Sequence, residues 1–172
     1  DRFPHLQRYL AEHPEKIEDF VEEVLRFDSP AQNLSRQSIQ SLEIGGKTIP
    51  ANSRVMLLLA SANRDERAFE NPDIFDIHRD FASSPRVLAF GDGIHSCMGA
   101  PIARLTAKVF LEELLDGTEY RIEGMPERWV KQMVRGYSKL PISVISSPDE
   151  ALIGAEAHHE SKMALTGHRH LA

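Results

Sequence analysis

Cysteine is nearly absent from this chain: the 172 residues hold one, Cys97. A single thiol excludes an intramolecular disulfide, which suits a reducing cytosol and makes a cytoplasmic protein the expectation. Apolar runs are short as well. None approaches the roughly 20 residues that a membrane helix needs, and no signal peptide is visible, so a membrane is not an expected partner. Positive charge is in deficit, with 20 Lys and Arg against 26 Asp and Glu and a net charge of -6. Nucleic acid is then not expected as the main partner, because neutralising phosphates takes a basic excess. An initiator methionine is missing too, since the chain starts at Asp1, and an upstream portion is expected. What is present is an ordinary globular composition. With 41% hydrophobic residues, the chain can bury one core, removing roughly 70% of its unfolded surface from water.

The lone cysteine sits in the run Phe90-Gly91-Asp92-Gly93-Ile94-His95-Ser96-Cys97-Met98-Gly99-Ala100-Pro101-Ile102-Ala103-Arg104. An isolated cysteine is ordinarily a small buried hydrophobe. Here the sulfur follows a glycine-punctuated loop and precedes an apolar pattern of helical spacing, Ile102, Leu105 and Val109, with Pro101 in the first turn. A helix starting beside Cys97 favours a thiolate, either a soft metal ligand or a nucleophile. Glycines at 91, 93 and 99 let the backbone turn tightly and approach closely. The run is not a phosphate loop, which requires Gly-x-Gly-x-x-Gly after a strand or a Gly-Lys-Ser/Thr ending.

Phe-Gly-x-Gly-x-His-x-Cys-x-Gly-x-x-Ile-Ala-Arg resembles the haem-binding loop of the cytochrome P450 monooxygenases, soluble bacterial type. The resemblance extends over about residues 10 to 146. It implies a fold that is mainly α with a minor β part: the C-terminal portion of the P450 fold, with K helix, β hairpins, meander, cysteine loop and L helix. Cys97 would be the catalytic thiolate and the axial ligand of haem iron. Ala89, Phe90, Gly91, His95, Met98, Gly99 and Ala103 would contact the haem, and His95 would donate to a propionate. Residues 1–146 would form this haem-ligating part.

Other segments carry the resemblance further. Ile17, Phe20, Val21, Val24, Leu25 and Phe27 recur at helical spacing until Asp28-Ser29-Pro30, which predicts a helix over 15–27. Glu23 and Arg26, three apart, can touch along its flank, usually as a solvated surface pair. They resemble the Glu-x-x-Arg of the K helix, which implies a buried ion network; periodicity alone does not separate Glu23 from Glu22. Gln32, Asn33 and Leu34 resemble a stretch that lines the substrate pocket, and Arg36 stands where an arginine pairs with a haem propionate. Gly45-Gly46 between two apolar runs reads as a two-residue hairpin turn, and Val55 to Leu59 as a buried strand. Residues 64 to 90 have no period and resemble the meander. There Ile74 and Val87 replace the arginine and histidine that many members carry, which leaves the ion network short of a partner, with Arg79 the candidate to compensate. Beyond a cysteine helix ending near Gly117, short strands alternate with turns to Ile145. Met133 and Val134 resemble the turn whose tip enters the substrate pocket. Residues 147–172 are rich in Ala, His and Glu, and a solvated tail is expected, with a metal site at His158, His159, His168 and His170 as the alternative.

The implied function is a haem-thiolate monooxygenase that inserts one atom of dioxygen into a small organic substrate. Its electrons would come from a ferredoxin or ferredoxin reductase type donor, with Arg104 and Lys108 as candidates for a positive docking face. Two readings from other classes stay open. One is a truncated or degenerate haem-binding member without turnover. The other is a thiol enzyme with Cys97 as nucleophile and His95 as the only near base. A zinc site at His95 and Cys97 would need two more ligands, and none follow at suitable spacing. The helix that covers the far face of the haem in that family has no counterpart here, so the chain alone is expected to be inactive.

Overall fold

The structure, a computed structural model, describes residues 4–131 and 133–146. The tail at 147–172 and its histidines lie outside the described residues. Helix α1 spans Pro4–Glu12, and the predicted 15–27 helix resolves into a 3-10 turn, Pro14–Lys16, followed by α2, Ile17–Phe27. Pro14 opens that turn, and the α-helical ladder is established only from Ile17 onward. Glu18 and Asp19 in the first turn of α2 and Arg26 in the last suit the helix dipole. Its end is sealed by the Asp28 N–H donating to Val24 O at 2.9 Å and the Ser29 hydroxyl donating to Leu25 O at 2.7 Å. Every fourth residue of α2, Ile17, Val21 and Leu25, is buried against Leu10 of α1 and Leu115 far along the chain.

Among the described residues the strands form four separate antiparallel ribbons. Strand β1 (Leu34–Gln37) pairs with β4 (Arg54–Leu57), and between them β2 (Leu42–Ile44) pairs with β3 (Lys47–Ile49). Gly45 and Gly46 take φ of +57° and +73°, as a two-residue turn with both central residues left-handed requires. Near the end of the described chain β5 (Glu119–Ile122) pairs with β8 (Ile142–Ser146), and β6 (Glu127–Val130) with β7 (Arg135–Lys139). The expectation of a buried strand from Val55 to Leu59 is corrected. The strand stops at Leu57, Met56 and Leu58 are exposed, and Leu59 opens a short helix, α3 (Leu59–Ala62). A two-stranded ribbon cannot cover its own faces, and the Ala60 N–H, donating to Gln32 O at 3.2 Å, draws the chain into the turn.

Helix α4, Ala100–Leu115, follows the cysteine loop and packs on α1 and α2. The stripe that announces it in the sequence is not the side it buries. Ala100, Ala107, Leu111 and Leu115 face the core, whereas Ile102, Leu105, Val109 and Phe110 are exposed. A helix apolar on both sides is characteristic of a larger core.

Between α3 and α4 no regular helix or strand of more than three residues forms, yet Phe69, Val87 and Ala89 of this coil belong to the core. What fixes the coil is a dry ion cluster. Arg26 and Glu23 have side chains with 0% exposure, and their two-pronged pair closes at 2.7 Å on both prongs. The remaining N–H groups of Arg26 donate to Asn63 O (3.0 Å), Pro72 O (2.7 Å) and Ile74 O (3.0 Å), so all five donors are used. Glu23 accepts in addition the Asp76 N–H at 2.7 Å and Arg79 Nε at 3.2 Å. Arg79 thus supplies the second guanidinium. Ile74 takes part through its backbone carbonyl, while its side chain is exposed and Val87 lies in the core. Buried Asn63 completes the frame: its amide donates to Ser29 Oγ (2.8 Å) and its oxygen accepts the Leu88 N–H (2.8 Å).

A lysine has three donors and no planar fork, so Arg26→Lys must leave buried acceptors unpaired. Each such group costs about 1–3 kcal/mol, and urea unfolding of the variant is expected to show a loss of about 2–5 kcal/mol. A loss below about 0.5 kcal/mol, the level of an ordinary surface change, contradicts the assignment.

Candidate functional site

The cysteine loop is closed by its own backbone. Gly91 N–H donates to Leu88 O (2.9 Å), Ser96 N–H to Gly93 O (3.0 Å) and Cys97 N–H to Phe90 O (3.0 Å). Closing so short a loop takes the left-handed backbone at Gly91 (φ +70°) and Gly93 (φ +71°), which side chains resist. A 3-10 turn, Gly93–His95, forms its far side. Cys97 O then accepts the Ala100 N–H at 3.3 Å, so α4 begins within three residues of the sulfur.

Cys97 is a free, exposed thiol, which sets aside the buried-hydrophobe reading. Ile94 and Met98 beside it are 96% and 97% exposed, and Ile102 on the first turn of α4 is 67% exposed. A Cβ on Gly99 would stand 3.7 Å from Cys97 Sγ, so the bare glycine keeps that side of the sulfur open. His95 is exposed on the adjoining turn, and Arg36 on β1 donates to its neighbour's carbonyl, Ser35 O (2.9 Å), rather than to a carboxylate. One soft sulfur donor, open apolar side chains beside it and the exposed, polar His95 fit a haem, which needs one protein thiolate, an apolar seat and partners for its carboxylates. Among the described residues no group of three or more His, Cys, Asp or Glu is arranged to hold a bare metal ion. Among the described residues no hydrogen bond joins His95 to Cys97, whose thiol is free and exposed.

Two further groups of sequence candidates occupy definite positions. Gln32 N–H donates to Met133 O (2.8 Å), Ala31 bridges Val134, and Arg135 N–H donates to Pro30 O (2.8 Å). These bonds bring Gln32, Asn33 and Leu34 to Met133 and Val134 across about a hundred residues of chain. Leu34 also borders the cysteine loop, its Cδ1 3.5 Å from where a Gly91 Cβ would stand. Ala89 is buried in the core beneath the loop, whereas Gly99 and Ala103 are exposed.

The positive docking face expected of Arg104 and Lys108 is not free charge. Arg104 donates to both oxygens of Glu22, and Lys108 pairs with Glu18. Those hydrogen bonds raise the pKa of both cations above their ordinary values. Sequence reasoning missed this ladder, although its signal is legible: acids four apart on α2 face bases four apart on α4. It assigned no role to Asn63 either. Glu22 and Glu23, inseparable by periodicity, are separated by the fold, Glu22 toward α4 and Glu23 into the ion cluster.

The family model described as Cytochrome P450 matches residues 16–141. Cytochrome P450 130 of Mycobacterium tuberculosis is 47% identical over 115 residues, covering 66% of this chain and 28% of that protein. Erythromycin C-12 hydroxylase of Saccharopolyspora erythraea is 38% identical over 159 residues, covering 88% of this chain and 38% of its own length. The solved structure of cytochrome P450 CYP109Q5 from Chondromyces apiculatus superposes with a TM-score of 0.77 at 42% identity, covering 85% of this chain and 38% of that one. The chain thus spans well under half the length of these relatives. Members of that family bind haem through a cysteine thiolate. No helix among the described residues is long and apolar enough to cross a membrane. With the family model matched from residue 16 to residue 141 and the fold shared with a solved member at 42% identity, the chain belongs to the cytochrome P450 family.

Proposed function

We propose that this chain is the haem-ligating part of a bacterial haem-thiolate monooxygenase, with Cys97 as the axial ligand. The observation that carries the reading is the exposed Cys97 sulfur, held between a backbone-closed glycine loop and the start of α4. When bound, the haem supplies dioxygen activation: one oxygen atom enters a C–H bond of an organic substrate and the other leaves as water, with two electrons and two protons consumed. The residues of this chain would hold, orient and exclude water. Arg36 and His95 would pair with the haem carboxylates, and Ile94, Met98 and Ile102 would supply apolar contact. The hydrogen bond from Cys97 N–H to Phe90 O fixes the backbone at the ligand, and amides around the sulfur would temper its donation. Gln32, Asn33, Leu34, Met133 and Val134 would border the substrate. Electrons would arrive from a ferredoxin-type partner. With Arg104 and Lys108 paired to Glu22 and Glu18, that partner would find little net positive charge on this part of α4.

Cys97→Ala is expected to abolish the strongly red-shifted absorption band that a thiolate-ligated haem gives with carbon monoxide after reduction. Retention of that band in haem-loaded Cys97→Ala sinks the assignment. A second expectation follows from the uncovered side chains. A haem must be shielded on both faces, and here Cys97, Met98 and the outer stripe of α4 are open. The 172-residue chain alone is therefore expected to load haem substoichiometrically and to show no substrate-dependent oxygen consumption with a surrogate ferredoxin system. Supplying the N-terminal portion of a close relative should raise both; full loading and coupled turnover by the chain alone overturns this.

A further inference from the structure

Phe90 is the residue whose carbonyl holds the amide of Cys97, and its ring is not left to pack by shape alone. Arg104, at the start of the second turn of α4, stands with its guanidinium carbon 4.8 Å from the centroid of that ring. The same guanidinium donates through Nε and Nη2 to the two oxygens of Glu22 on α2, the second at 3.2 Å. Both partners are largely withdrawn from water, with side-chain exposures of 34% and 24%. A planar fork anchored edge-on by a carboxylate has its flat face fixed, and a fixed cationic face selects one position for the aromatic ring beneath it. Lysine could not do this, having no plane. Lys108, one turn further along α4, pairs with Glu18 in the same interhelical ladder but lies over no ring among the described residues. The ladder therefore has one rung that joins two helices and one that also reaches the cysteine loop.

We infer that Glu22 and Arg104 are positioning residues for Cys97, acting through the Phe90 ring to fix the loop that presents the sulfur. Neither touches the thiol. Glu22 orients the guanidinium, the guanidinium holds the ring, and the ring sets where the Phe90 carbonyl meets the Cys97 amide. The consequence for a bound haem rests on Cys97 being its ligand; the effect on the loop does not.

The test separates the two. In the isotopically labelled 172-residue chain, the Arg104 side-chain protons are expected to be shifted upfield by the Phe90 ring. Arg104→Gln and Glu22→Gln should speed amide hydrogen exchange at Cys97 by about tenfold, the scale of a partly desolvated cation–ring contact. Lys108→Gln, which removes an interhelical rung of the same kind, should leave it within about twofold. If Arg104→Gln loses the fold by circular dichroism, Arg104→Lys decides: it keeps the charge, loses the fork, and should still speed exchange. Unshifted Arg104 protons, a wild-type exchange rate in Arg104→Lys and Arg104→Gln, or equal acceleration by Lys108→Gln overturns the inference. In haem-loaded protein completed with an N-terminal portion, Arg104→Lys should also move the midpoint potential. A changed exchange rate beside a carbon monoxide spectrum indifferent to Cys97→Ala would retain the clamp and remove the haem ligation.

Discussion

A guanidinium enclosed away from water must satisfy every one of its donors, and that requirement organises the chain. Arg26 meets it with two oxygens of Glu23 and three backbone carbonyls, from Asn63, Pro72 and Ile74. The carbonyls belong to a segment with no ladder of its own, so the cation does for this coil what a sheet or helix does for other backbone. Each partner is needed by the others, since a buried charge that loses one neighbour is destabilised by several times what an exposed pair is worth. The arrangement explains how an irregular stretch can hold Phe69, Val87 and Ala89 in the core.

From this centre the order reaches the cysteine by two routes, both starting on α2. Glu23 leads through Arg26 and Asn63 to the Leu88 amide, and Leu88 O in turn receives the Gly91 N–H, which is the mouth of the loop. Glu22 leads through Arg104 to Phe90 and to the first turns of α4. The loop is thus gripped at its entry and beyond its exit, and Cys97 is exposed while its backbone N–H is held by Phe90 O. Exposure with rigidity is what a metal-ligating thiolate requires, because the ligand atom must be available while its direction is fixed. The same economy leaves Ile94, Met98 and Ile102 uncovered, which a flat apolar cofactor would repay.

Much of this was legible in the sequence, and the exceptions share a cause. Helix α2, the Gly45-Gly46 hairpin and α4 are local patterns, and local patterns read well. Periodicity did not separate Glu22 from Glu23, because both flank the apolar stripe; the resemblance chose Glu23, and Glu23 is the one the fold buries. Ile74 read as a gap in the ion cluster with Arg79 as the candidate to compensate; Arg79 does pair with Glu23, and what the sequence did not reveal is the use of the Ile74 carbonyl. The stripe Ile102, Leu105 and Val109 correctly announced a helix but not its buried side, since α4 is apolar on both. Val55 to Leu59 failed similarly: an apolar run says that a segment seeks cover, not that a two-stranded ribbon can provide it. Arg104 and Lys108 read as free positive charge because their acids lie more than eighty residues away.

The ion cluster on α2 holds the coil that runs into the cysteine loop. Native-state hydrogen exchange tests this hold at two amides, Asp76, which donates to Glu23, and Leu88, which donates to Asn63. If the cluster holds the coil, both amides open with the same free energy as the interior amides of α2, and Arg26→Lys lowers all of them together. Asp76 and Leu88 exchanging freely while α2 stays protected, or keeping their protection in Arg26→Lys while α2 loses it, would contradict the account.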